Sequence, residues 1–166
     1  MDLQSFFLKA YDEYADAVFR HCAFRVFDRE QAADITQETF IKTWEFLRSG
    51  KKVENRKAFL FRVANNLIID WYRKKKSISL EQAIENGFDP GFDERTRVQS
   101  GIDLKFALSY LAKLEEPYRT ALHMRYVEDL SPKQISFILD ESETAVSVRI
   151  HRGLKSLQNL LLSHEN

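Results

Sequence analysis

The sequence predicts an all-α fold of two small helical domains, 1–76 and 102–166, joined by a flexible acidic linker, 77–101. Three observations carry this. The 166 residues include only five glycines and three prolines, too few for a turn-rich β-sandwich. Apolar residues recur at helical spacing on both sides of a stretch broken by Gly87, Pro90, Gly91 and Gly101. Charge is blocked along the chain: 25 basic and 25 acidic residues cancel overall, yet 51–76 carries nine basic against two acidic. Residues 77–104 reverse this, with two basic against six acidic. A hydrophobic fraction of 44% suits a packed core rather than disorder.

From Leu3 to about Lys76 the helical pattern meets few breakers. Asp28-Arg29-Glu30-Gln31 reads as a helix start, with an aspartate cap and a glutamine three residues on. That helix continues through Ile35, Phe40, Trp44 and Leu47 and stops near Ser49-Gly50, where glycine takes a left-handed conformation. After a loop, Lys51 to Asn55, another helix spans about Arg56 to Lys74, with Leu60, Val63, Ala64, Leu67 and Trp71 as its expected buried stripe. In the linker one helical turn is expected around Leu80 to Ile84.

The pattern resumes with Ile102, Phe106, Leu111 and Leu114 as one stripe. Tyr118, Leu122 and Tyr126 form the next, after Pro117 at a helix's first turn. Ser131-Pro132 then caps a short helix with Ile135, Ile138 and Leu139 inward. Asp140-Glu141-Ser142 makes a turn, and a longer helix buries Val146, Ile150, Leu154 and Leu157 while exposing Arg149, His151, Arg152 and Lys155. This is helix-turn-helix spacing, and an ordinary helical hairpin shares it.

Catalysis finds little support. The chain has no GxxxxGK or GxGxxG phosphate loop and no HExxH or CxxC metal pair. Cys22 neighbours His21 without further ligands at metal spacing, and His123, His151 and His164 are scattered. Neither an enzyme activity, a metal nor a cofactor is expected. One cysteine suits a reducing compartment. Met1 leads into an acidic amphipathic stretch rather than a secretory leader, and apolar runs are too short to span a membrane, so a cytoplasmic location is expected.

The basic block offers a binding surface instead. Opposite its apolar stripe the helix places Arg62, Asn66, Ile69 or Asp70, and Arg73 on roughly one face. Arginine and asparagine can bond base edges, and the run Arg73 to Lys76 can neutralise phosphates. Phe59, Phe61, Trp71 and Tyr72 interleave with these charges, which suits unstacked single-stranded bases. Trp71 and Phe59 are expected in the core, while Phe61 and Tyr72 are open to either role. A solvated basic helix end also fits the charge run alone.

These segments resemble the bacterial sigma-70 family of RNA polymerase sigma factors. The stretch Asp34 to Trp44, followed by Ala58 to Arg73, is similar to sigma region two. Leu114 to Arg119, Arg125 to Ser131 and Val146 through Leu157 are similar to region four. Only these two regions are present, the arrangement of the extracytoplasmic-function group. The resemblance implies a promoter-specificity subunit that binds core polymerase (its beta and beta-prime subunits) and both double- and single-stranded promoter DNA. Asp34, Gln37, Glu38, Phe40, Lys42 and Trp44 would bind the polymerase clamp, with Phe40 and Trp44 anchoring the helix. Lys51, Lys52, Asn55, Arg56, Arg62, Asn66, Arg73 and Lys74 would engage the minus-ten element, where a flipped base costs a few kcal/mol of unstacking. The acidic linker would lie in the basic polymerase channel.

Ser147, Val148, Arg149, His151, Arg152 and Lys155 would meet the minus-thirty-five element. Here the chain departs from the family pattern: Asp140 stands where a turn glycine is common, and Ser147 where a basic residue is. Residues 105–166 carry eight charges of each sign. Weak upstream readout is therefore expected, with an additional DNA-targeting partner assisting. An anti-sigma factor is a further expected partner. The competing reading is a stand-alone helix-turn-helix regulator binding duplex DNA as a dimer, which would not need residues 1–76 in this form.

Overall fold

A computed structural model of the chain describes residues 2–74 and 104–164, with backbone alone for 104–107. The helices are α1 (Leu3–Val26), α2 (Arg29–Arg48), α3 (Arg56–Lys74), α4 (Leu104–Leu111), α5 (Tyr118–Leu122), α6 (Pro132–Leu139) and α7 (Glu143–His164). No strand occurs among the described residues. Two compact units result, the first built on α1–α3 and the second on α4, α5 and α7. The connector 77–101, its expected turn at Leu80–Ile84, Lys75, Lys76, Ile102 and the Phe106 side chain lie outside the described residues.

Local chemistry sets the ends of the first three helices. Asp2 caps α1 by accepting the Ser5 N–H at 2.7 Å, and α1 closes at Phe27, whose backbone is left-handed at φ 57°. Asp28 Oδ1 accepts the N–H groups of Glu30 and Gln31 at 3.0 and 3.2 Å, which makes it the α2 cap. Such a cap contributes about 1 kcal/mol. Gly50 follows α2 at φ 82°, a conformation open to glycine at no steric cost. Asn55 Oδ1 accepts the Ala58 N–H at 2.9 Å and so starts α3.

The α3 core differs from the expected stripe. Leu60 and Ala64 are buried as expected, but Phe61, Asn65 and Ile68 join them, while Val63, Leu67 and Trp71 are half-buried. Partners on α1 decide the rotation. The Phe61 ring packs on His21 with centroids 5.0 Å apart. Asn65 Oδ1 accepts from the Arg25 guanidinium at 2.8 Å, and the Tyr72 hydroxyl donates to the Arg25 carbonyl.

In the second unit, Leu111 and Leu114 are buried, but the Tyr118–Leu122–Tyr126 stripe does not hold. A π-helical turn spans His123–Val127, and the Glu128 N–H donates to the His123 carbonyl, five residues back. The wider turn changes the phase of the residues after it. Met124 and Leu130 are buried, and Tyr126 is left 57% exposed.

The helix-turn-helix has the predicted local chemistry. Ser131 Oγ accepts the Gln134 N–H at 3.1 Å while Gln134 Oε1 accepts the Ser131 N–H at 2.9 Å, with Pro132 at the first helical position. Asp140 adopts φ 55°, the left-handed geometry a turn glycine would supply and one that aspartate tolerates. Ser142 Oγ accepts the Ala145 N–H at 3.1 Å. Helix α7 buries Val146, Ile150 and Gly153, whereas Leu154 is exposed and Leu157 half-buried. Gly153 explains the shift: a Cβ there would stand 3.2 Å from Leu122 Cγ, so the glycine face is the one that packs closely.

Candidate nucleic-acid interface

Helix α2 presents a polar outer face before the basic block begins. Asp34, Gln37, Glu38 and Lys42 are all exposed, and Glu38 and Lys42 form an ion pair at 3.7 Å. Both partners are about half exposed, so the pair adds little stability and can exchange for contacts with a partner. Phe40 does not belong to this face. It is 4% exposed, with its ring centroid 4.9 Å from Tyr11 and 6.1 Å from Phe7. Trp44 is half-buried, 5.1 Å from Phe7. Both rings anchor α2 to α1, and the burial of Phe40 corrects its placement among partner-facing residues. The exposed apolar side chain beside this polar face is Ile41, at 51%. Its position four after Gln37 and three after Glu38 was the available signal.

On the loop and α3, the basic residues divide by environment. Lys51 and Lys52 are exposed, and the Lys51 ammonium lies over the Phe46 ring at 5.1 Å. Phe46 in turn packs on Phe59, with centroids 4.7 Å apart. Arg56 is half-buried, its guanidinium 5.0 Å from the Phe6 centroid. Asn55 is exposed, but its side-chain oxygen serves the helix cap. Arg62 is half-buried; Asn66, Asp70, Arg73 and Lys74 are exposed. Asn66, Asp70 and Arg73 share one line, and Arg73 pairs with Asp70 at 3.7 Å. Phe61 is fully buried and is excluded as a base-stacking surface, while Tyr72 is half-buried and tied to α1.

The upstream candidates all lie on α7. Ser147, Val148, His151, Arg152 and Lys155 are exposed, as the spacing predicts. Arg149 is the correction: its side chain is 19% exposed and its guanidinium meets Glu141 at 2.6 Å. The turn that positions α7 thus also supplies a carboxylate that holds one of its arginines to the side.

Sigma-70 region 2 matches residues 10–78, and Sigma-70, region 4 matches residues 107–157. The chain is similar to the ECF RNA polymerase sigma factors SigW and SigM of Bacillus subtilis (strain 168). Identity with SigW is 30% over 168 residues, covering 95% of this chain and 90% of the relative. With SigM it is 31% over 156 residues, covering 90% and 93%. The fold is similar to that of sigma factor RpoE of Bartonella quintana, solved with the anti-sigma factor NepR. There the TM-score is 0.70 at 22% identity, covering 93% of this chain and 96% of that one. The two sigma regions in order, and relatives matched almost end to end, lead to one conclusion: this chain belongs to the ECF RNA polymerase sigma factors, the promoter-specificity subunits of that enzyme.

Proposed function

We propose that the promoter-specificity role divides over three surfaces, with domains at 1–76 and 102–166 and a connector at 77–101. The outer face of α2, with Asp34, Gln37, Glu38, Ile41 and Lys42, docks core polymerase. The loop Lys51–Asn55 and the exposed line of α3 engage the minus-ten element as it opens. Helix α7 meets the upstream duplex through Ser147, Val148, His151, Arg152 and Lys155. The observation that supports this division is the separation of faces: the α2 surface mixes both signs around one isoleucine, whereas the loop and α3 surface is predominantly basic.

The protein acts by binding and deforming DNA, without bond chemistry of its own, in the cytoplasm. No helix among the described residues is long and apolar enough to cross a membrane. An anti-sigma factor is a partner on this reading, since the similar RpoE was solved with one. Weak minus-thirty-five readout follows from the side-turned Arg149, and an additional DNA-targeting partner would compensate. Co-purification with core RNA polymerase, followed by promoter-directed transcription, tests the proposal. No association with core would overturn it and favour a stand-alone regulator.

A further inference from the structure

We propose that Val148 is a specificity-determining residue that reads the 5-methyl group of a thymine in the upstream promoter duplex. The inference rests on the assignment of α7 to that element. Helix α7 turns Val146, Ile150 and Gly153 inward, all buried. At about 100° per residue, the line opposite them passes through Thr144, Val148, His151 and Lys155, with Arg152 beside it. All five are exposed, and Val148 is 42% exposed in the middle of the line.

A lone exposed valine is ordinary on a protein surface. Its place on this helix is what gives it meaning. The first two turns of α7 offer methyl and hydroxyl groups on Thr144, Ala145, Ser147 and Val148, and His151, Arg152 and Lys155 come after them. In helix-turn-helix docking the beginning of the recognition helix meets base edges, while cations fix the helix on the phosphates. The one cation in those first two turns, Arg149, is drawn to Glu141 at 2.6 Å. The outward line therefore carries no guanidinium fork for guanine in its first two turns. It carries two valine methyls, with the Thr144 methyl one turn earlier. The thymine 5-methyl is the apolar group that the major groove displays. Contact with it gives modest discrimination, which agrees with weak upstream readout.

Replacing thymine by deoxyuridine removes that methyl and leaves base pairing intact. Holoenzyme formed from the full chain and core RNA polymerase is used to select promoters randomised upstream, from one pool made with thymidine and one with deoxyuridine. The expected result is a thymine preference in the first pool that disappears in the second. On the selected duplex, binding weakens about fourfold for one lost methyl, as its burial predicts. Val148→Ser, checked for helicity by circular dichroism, binds the thymidine and deoxyuridine forms equally. The same motif from both pools, or a thymidine-to-deoxyuridine ratio unchanged in V148S, would overturn the inference while α7 remains a reading helix. No upstream preference in either pool would overturn the assignment of α7 as well.

Discussion

Two adjacent asparagines on α3 should respond to the same substitution in opposite ways. Asn65 is 2% exposed and accepts a 2.8 Å hydrogen bond from Arg25, tying α3 to the end of α1. A bond to a charged group contributes about 1.5–3 kcal/mol, so Asn65→Ala should destabilise the three-helix unit by that amount. For a domain of this size each kcal/mol corresponds to roughly 4–8 °C, so Tm should fall by at least about 6 °C. Both tryptophans, Trp44 and Trp71, lie in this unit, so their fluorescence reports its unfolding. Asn66 is exposed on the next position, and Asn66→Ala should change stability by no more than about 0.5 kcal/mol. It should instead alter preference at one minus-ten position by about 1–3 kcal/mol, read as open-complex formation on promoters varied one base at a time. Equal Tm losses in the two variants, or an unshifted Tm in N65A, would refute the packing argument. A uniform loss on all promoters in N66A would assign that side chain to structure.

Three more outcomes are expected. Arg73→Ala with Lys74→Ala should weaken DNA engagement and flatten its salt dependence, because phosphate contacts release counterions; titration across salt concentrations measures this, and an unchanged slope sinks the reading. Ile41→Asp should reduce affinity for core polymerase by about tenfold or more, equivalent to roughly 1.4 kcal/mol, with Tm unchanged; undiminished co-purification would show that α2 docks through another face. Glu141→Gln should release Arg149, tightening duplex binding and steepening its log–log salt slope by about one contact. If E141Q leaves both quantities unchanged, the 2.6 Å pair does not restrain the arginine.

Helix ends were readable because single residues set them: Asp28, Gly50, Ser131 and Ser142 all have the geometry their chemistry implies. The rotation of α3 was not readable. Its apolar residues surround most of the helix, so two stripes about 100° apart compete, and His21 and Arg25 on another helix choose between them. Phe40 went the same way, since its burial depends on Phe7 and Tyr11 about 30 residues earlier. Tyr126 fell to a π turn that no residue type announces. Among the polar residues, Asn66, Lys42 and Arg152 are exposed as their spacing implies, whereas the Asn65 amide and the Arg149 guanidinium are drawn in by Arg25 and Glu141.

The zero net charge now has a more specific meaning. The basic block of 51–76 is not a field of independent cations among its described residues: Lys51 lies over Phe46, Arg56 over Phe6, and Arg73 pairs with Asp70. The aromatic seats hold the Lys51 and Arg56 side chains close to defined rings, which restricts their motion before any contact with a partner is made. The Arg73–Asp70 pair acts differently. At 3.7 Å, with both side chains more than half exposed, it is worth about 0–1 kcal/mol, so an incoming phosphate can replace the carboxylate at small cost. The block thus combines positioned cations at its start with an exchangeable one at its end. On α7 the balance is reversed: Glu141 holds Arg149 at 2.6 Å in a less exposed setting, where exchange is harder. The same overall neutrality is thus built differently in the two units: ring-seated and loosely paired cations in the first, and in the second an arginine held by a carboxylate.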